Sequence, residues 1–290
     1  MDIKLGLIGD PISHSLSPAI HSRSLLTLGI HASYQLLPFG RSELAATLDR
    51  LADDGYTGIN VTMPYKRDVI EYLDVITPSA ALAQSVNTIL FDQDKKIGHS
   101  TDGMGMLYPL IKAGYDLSAA SVAVIGSGGA GTAVVLAAAE YGAGAITLLN
   151  REGAGLRRAR ELADRIASQQ PQLATPQIDV CSMVSPTAQD VISRSDIVLN
   201  CTSVGMAPAH TGVSPIPHDW IRSNHVVADA VYFPRRTQLV QDALTVQATV
   251  FDGVHMLVSQ ALLAEEFWLG RKLSATHFNH IMDESEHFSH

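Results

Sequence analysis

Two short stretches carry side chains able to move a proton. In "NVTMPYK" (60–66), Lys66 follows a strand-like run and a turn at Pro64. A lysine at the carboxyl end of a strand faces the crevice where α/β proteins bind ligands, and partial desolvation makes its amine a usable acid or base. In "GHSTDGMG" (98–105), Asp102 stands between Thr101 and Gly103, and the glycines let the chain turn and aim a carboxylate into a cleft. Alone, Lys66 also reads as a surface lysine and Asp102 as a turn or helix cap. Spacing does not bring them together. A third stretch, "GDPISHSLSPAIH" (9–21), crowds Ser13, Ser15, Ser17 and His14 behind the first apolar run. Ser17 reads as a helix N-cap with Pro18 at the first helical position.

A fourth stretch concerns phosphate. "VAVIGSGGAGTA" (122–133) sets Gly126, Gly128, Gly129 and Gly131 between a strand-like run and an alanine-rich helix. A pyrophosphate must approach backbone N–H groups at a helix N-terminus, where a Cβ would block it. The next strand-like run ends on Asn150-Arg151-Glu152-Gly153. Arg151 and Arg157 favour the 2′-phosphate of NADP, and Glu152 favours the free 2′-hydroxyl of NAD. A dinucleotide domain beside a smaller α/β domain suggests hydride transfer, which needs a proton donor or acceptor at the carbinol.

Strand-like and helix-like patterns alternate to position these groups. Strands are expected at 4–9, 33–39, 58–63, 86–92, 145–150, 177–182, 196–201, 226–232 and 248–253 and within 121–131, a run that breaks into a glycine loop, with helices between them and a long helix after the last. Such alternation predicts an α/β fold with parallel sheets covered by helices. The expected division is an N-terminal α/β substrate domain (1–103), a Rossmann-type dinucleotide domain with a mostly parallel sheet (104–253), and C-terminal helices (254–290) that pack back on the first domain.

Composition narrows the partners. A net charge of −9 argues against nucleic acid or an anionic membrane surface, while leaving room for a small anionic ligand. The two cysteines, Cys181 and Cys201, lack metal-ligand spacing and suit a reducing compartment, so no metal site is expected. The opening "MDIKLGLIGD" reads as a first strand rather than a signal peptide, and no apolar stretch approaches the ~20 residues of a membrane span. The expectation is a cytoplasmic monomer or homodimer.

These pieces together resemble the shikimate dehydrogenase family, including its quinate/shikimate branch. "GDPISHSLSPAIH", "INVTMPYK", "SVNTI", "STDG", "GSGGAG", "LLNR", "CTSVGM", "VY" and "GVHMLVSQA" occur in family order over most of the chain. The resemblance implies that Ser15 and Ser17 bind the substrate carboxylate, and that Thr62 and Asn87 hydrogen-bond ring hydroxyls. It implies Lys66 and Asp102 as the catalytic pair, with Tyr232 and Gln260 closing the substrate site. Gly126, Ser127, Gly128, Gly129 and Ala130 would hold the pyrophosphate, and Asn150, Arg151 and Glu152 the ribose. Thr202, Val204, Met206 and Gly253 would also contact the cofactor, Met206 and Met256 flanking the nicotinamide. Ser13 and His14 stay structural. The implied reaction is reversible reduction of 3-dehydroshikimate to shikimate in aromatic amino acid biosynthesis, with NADP or NAD. The alternatives are a quinate or aminoshikimate-type dehydrogenase preferring NAD, or a ligand sensor without catalysis.

The chain departs from the family pattern in three places. Ser100 replaces the asparagine usual before Thr-Asp-Gly. Glu152 replaces a threonine after Asn-Arg, and Gly153 stands where the quinate branch has aspartate. Ser85 and His255 replace smaller or apolar residues. These differences suggest a paralogue, and Glu152 points away from exclusive NADP use.

Overall fold

The computed structural model describes residues 3–169 and 177–285. Residues 1–2 and 286–290, assigned above to the substrate domain and its C-terminal helices, and 170–176, assigned to the dinucleotide domain, lie outside the described residues. The chain forms two units, Met1–Thr101 with Val258–His290, and Asp102–Leu257.

The first unit contains β1 (Ile3–Ile8), α1 (Ser17–Thr27), β2 (Ala32–Leu37), α2 (Leu44–Asp53), β3 (Gly58–Val61), β4 (Val75–Ile76), α3 (Pro78–Ala83), β5 (Thr88–Asp92) and β6 (Lys95–His99). Its sheet order is β2-β1-β3-β5-β6-β4. β1 pairs parallel with β2 and β3, while β5 runs antiparallel to both β3 and β6. β4 pairs parallel with β6, so only the two pairings of β5 depart from the expected parallel sheet. Only Gln93 and Asp94 separate β5 from β6, too few residues for a parallel crossover. Gln93 takes φ +53° in this tight turn. α1 is capped by Leu16 rather than Ser17, because the Ile20 N–H bonds the Leu16 carbonyl at 3.1 Å. Gly29, at φ +72°, ends it in a left-handed turn that a Cβ would strain. One face of the sheet buries Ile8, Leu48, Ile59, Val61, Tyr65 and Ile89.

The second unit contains α4 (Asp102–Lys112), β7 (Ser121–Ile125), α5 (Gly129–Glu140), β8 (Ala145–Asn150), α6 (Ala154–Gln169), β9 (Gln177–Ser182), α7 (Ala188–Arg194), β10 (Ile197–Asn200), β11 (Val226–Asp229), α8 (Gln238–Thr245) and β12 (Thr249–Phe251). All its strands are parallel, in the order β12-β11-β10-β7-β8-β9. That is the doubly wound dinucleotide-binding order, reversing between β7 and β10. Its core joins Ala123, Ile125, Leu149, Val198, Val227 and Leu239.

α9 (Gly253–Leu269) and α10 (Ala275–Glu284) complete the chain. Ala264 and Trp268 of α9 pack with Leu5 and Leu25 of the first unit. No helix among the described residues is long and apolar enough to cross a membrane.

Candidate active site

The glycine loop lies between β7 and α5, at the end of the sheet where strand order reverses. Gly126 adopts φ +103°, and a Cβ on Gly131 would collide with the Gly126 carbonyl, so helix and loop approach as closely as backbone allows. Gly128 is the N-cap of α5 and supplies no side-chain cap, and a Cβ there would meet nothing within 4 Å. An uncapped helix N-terminus facing open space fits a dinucleotide pyrophosphate. Asn150 donates from Nδ2 to Ser127 Oγ (2.6 Å), and Ser127 donates to the Gly155 carbonyl (2.7 Å). The glycine loop is thereby tied to the turn after β8. There Arg151 and Glu152 are exposed, and neither side chain has an ion-pair partner among the described residues.

A second polar knot, which sequence reasoning missed, orders the loop after β10. Asn200 is fully buried. Its Oδ1 accepts from Thr202 N (3.1 Å) and Thr202 Oγ1 (2.7 Å), and its Nδ2 donates to Asp229 Oδ1 (2.8 Å). Val204 N donates to Thr202 Oγ1 (3.1 Å), and Met206 N to the Ser203 carbonyl (3.1 Å). Asp229 also accepts from Val231 N (2.9 Å) and Thr237 Oγ1 (2.7 Å). Burial pushes the Asp229 carboxyl up to about 6 against these donors. The available signal was a polar residue ending each of two apolar strands. Cys201 is buried, and burial with the nearby Asp229 and Asp102 charges raises its thiol well above the usual range, so it is no nucleophile. Gly253 opens α9 against the Val231–Tyr232 peptide, which a Cβ would strike. Burial also raises the Tyr232 phenol. Met256 is buried and Met206 half-buried.

In the first unit, the end of β1 lies against the turn after β3. Asp10 N donates to the Met63 carbonyl (3.0 Å), and a Cβ on Gly9 would clash with Thr62 Cγ2. The serine segment and Thr62 therefore share one edge. Ser15 donates from Oγ to Ser17 Oγ (3.1 Å) and accepts from Ser17 N (3.2 Å). Lys66, half-buried, has its carbonyl bonded to Val86 N (2.8 Å), one residue before Asn87. Asn87 is a hub. Its Oδ1 accepts from Thr101 N (2.8 Å), and its Nδ2 donates to Thr101 Oγ1 (2.9 Å) and Gln260 Oε1 (3.1 Å). Asn87 thus joins Gln260 to the residue preceding Asp102. Asp102 is 3% exposed and is the first residue of α4, in the second unit, rather than part of a turn before the helix. Ser85 and Ser100, two of the unusual residues, bury hydroxyl oxygens that have no partner among the described residues. No cluster of side chains able to hold a metal occurs among them either.

Comparison with known proteins identifies the family. Residues 7–89 match the model of the shikimate dehydrogenase substrate binding domain. A shikimate dehydrogenase (NADP(+)) from Moorella thermoacetica is 34% identical over 281 residues, 97% of this chain and 92% of that protein. The fold matches a shikimate 5-dehydrogenase from Listeria monocytogenes, solved with shikimate and NAD, at TM-score 0.86 and 31% identity, over 97% of this chain and 96% of that one. It also matches a quinate dehydrogenase from Corynebacterium glutamicum, solved with NAD, at TM-score 0.82 and 29% identity, over 98% of this chain and all of that one. On its sequence, its dinucleotide-type sheet and its polar site groups, the chain belongs to the shikimate dehydrogenase family.

Proposed function

We propose that the chain is an NAD(P)-dependent shikimate dehydrogenase, interconverting shikimate and 3-dehydroshikimate. One observation carries this reading: the chain is 34% identical, over 97% of its length, to an enzyme named for that reaction. The first unit, Met1–Thr101 with Val258–His290, is read as the acid-binding unit, and Asp102–Leu257 as the dinucleotide unit. Ser15 and Ser17 take the carboxylate. Thr62, Asn87 and Gln260 meet ring hydroxyls, with Tyr232 completing the substrate site. Lys66 and Asp102 hold and move the proton at the oxygen of the carbon that exchanges hydride. The bound nicotinamide supplies or accepts that hydride. Gly126–Ala130 cradle the pyrophosphate, Asn150, Arg151 and Glu152 meet the ribose, and Thr202, Val204, Met206 and Gly253 line the nicotinamide side.

All these groups belong to one chain, so a monomer or a homodimer would serve. Two free, buried cysteines suit the cytoplasm. The test is a four-way steady-state comparison of shikimate and quinate, each with NAD and NADP. Shikimate is expected to turn over fastest, and turnover of neither acid would overturn the reading. The likeness to a quinate dehydrogenase supports one rival, in which quinate with NAD is the fastest pair.

A further inference from the structure

Beneath α1, polar side chains run from the serine pair into the core of the first unit. The Ser17 hydroxyl bonds the Tyr34 phenol, which burial holds well above its ordinary pKa and so keeps protonated. Tyr34 donates to Asn60 Oδ1 (2.8 Å). His21 lies one turn after Ser17 on the same face of α1. Its Nε2 lies 3.1 Å from that same Asn60 oxygen, and its Nδ1 lies 2.8 Å from Glu265 Oε1. Ser24 donates to Glu265 Oε2 and takes a hydrogen bond from His277 Nε2 (2.8 Å). His21, Ser24 and Glu265 are 0% exposed.

The hydrogen bonds determine where the protons sit. Asn60 Nδ2 faces the Asn87 carbonyl at 3.2 Å, and a carbonyl can only accept. The amide orientation is therefore fixed, and Asn60 Oδ1 faces His21. His21 Nε2 must then carry hydrogen. Its Nδ1 faces a carboxylate oxygen, so that contact needs a hydrogen as well. The pair therefore holds one proton more than a neutral imidazole beside a carboxylate. Ring contacts place the resulting charge on the histidine. Tyr34 stacks on His21 at 4.6 Å and 11°, and Trp268 lies 5.3 Å away at 47°. Aromatic faces favour a cation. The buried pair is neutral overall, as burial requires. It is also a dipole, with its positive Nε2 edge on Asn60, the residue that Tyr34 links to Ser17, and its carboxylate on the Nδ1 side.

We propose that His21, held as an imidazolium by Glu265, is the buried positive charge behind the substrate-acid site and a specificity-determining residue for an anionic substrate. The proposal rests on the reading of Ser15 and Ser17 as the carboxylate grip. Neutral hydroxyls make the contact, and the imidazolium one turn below supplies the field.

Glu265→Gln tests this, because glutamine keeps both bonds. Its amide N–H donates to His21 Nδ1 and its carbonyl accepts from Ser24, while the extra proton is lost. The KM for shikimate should rise about three- to tenfold with kcat within about twofold. A purely structural role would lower the Tm and leave KM unchanged. Imidazole 15N spectra of the wild-type protein at neutral pH should show hydrogen on both His21 nitrogens, and need no variant to fold. One bare nitrogen overturns the proposal, as does an unchanged KM in a folded Glu265→Gln protein. Ser17→Ala separates the two readings. If it leaves KM unchanged, the grip itself is wrong. If it raises KM while Glu265→Gln does not, only the buried charge is wrong.

Discussion

Asn150 and Ser127, 23 residues apart, share a 2.6 Å hydrogen bond that ties the second strand of the dinucleotide unit to its glycine loop. Ser127 hands the connection on to the Gly155 carbonyl. The glycine loop and the turn after β8 are thus one hydrogen-bonded piece. Asn150→Ala should raise the KM for the dinucleotide by about tenfold, the worth of one or two buried hydrogen bonds, and leave the KM for shikimate within about twofold. Initial-rate kinetics with each substrate varied in turn would show whether the effect is confined to the cofactor.

Glu152 and Arg151 are exposed neighbours in the chain and, at the proposed ribose site, would make opposite demands on the adenosine ribose. A carboxylate repels a 2′-phosphate, and a guanidinium attracts it. Glu152→Thr should therefore shift the NADP/NAD ratio of kcat/KM toward NADP by about tenfold or more, and Arg151→Ala should shift it the other way. Equal ratios in both variants would show that neither residue reads the ribose.

Ser15 donates to Ser17 and accepts from its backbone, so on the proposed reading its removal loosens the carboxylate grip without touching Lys66 or Asp102. Ser15→Ala is expected to raise the KM for shikimate about tenfold and to lower kcat less. An unchanged KM would reduce the segment to a turn.

Lys66→Ala should lower kcat by at least about a hundredfold, the usual weight of a positioned proton donor, while shikimate still binds. Calorimetric titration of the variant with shikimate checks the second half. Loss of binding and turnover together would mean that Lys66 holds the substrate rather than the proton.

His99 donates or accepts at Thr77 Oγ1 (3.0 Å) and stacks on Phe267 (4.7 Å). Burial, helped by the Lys272 charge, lowers its pKa from 6.5 to about 4. A histidine with a depressed folded-state pKa is neutral in both states above 6.5. Below that the unfolded chain takes up a proton that the folded one refuses. Stability should fall as pH drops from 6.5 toward 4, by at most about 3 kcal/mol. Melting curves of the wild type and His99→Gln over that window should diverge, the variant being flatter.

Legibility in the sequence followed the distance between partners. The second unit was readable because its apolar runs are parallel strands and most of them are followed by a helix. The first unit was less so, because β6 carries Lys95 and Lys96 and β4 is two residues long. Neither shows an apolar period. In the site, the glycine loop, the serines and the residues around Lys66 and Asp102 are contiguous motifs. Asn200 with Asp229 is not, and His21 meets Glu265 across 244 residues. Such pairs exist only once the chain is folded, and a lone buried polar residue gives no hint of its counterpart.

The antiparallel hairpin of β5 and β6 has a consequence for how this family can change. By reversing direction, it returns Asn87 and Thr101 to the edge that holds Thr62 and the serines, and sends the Gln93–Asp94 tip to the opposite edge. Chemistry and chain length are thereby uncoupled. The tip can lengthen, shorten or accept a foreign peptide while the edge that carries Thr62, Asn87 and Thr101 keeps its register, which makes it a natural point for insertion in descendants of this protein and for tagging in the laboratory.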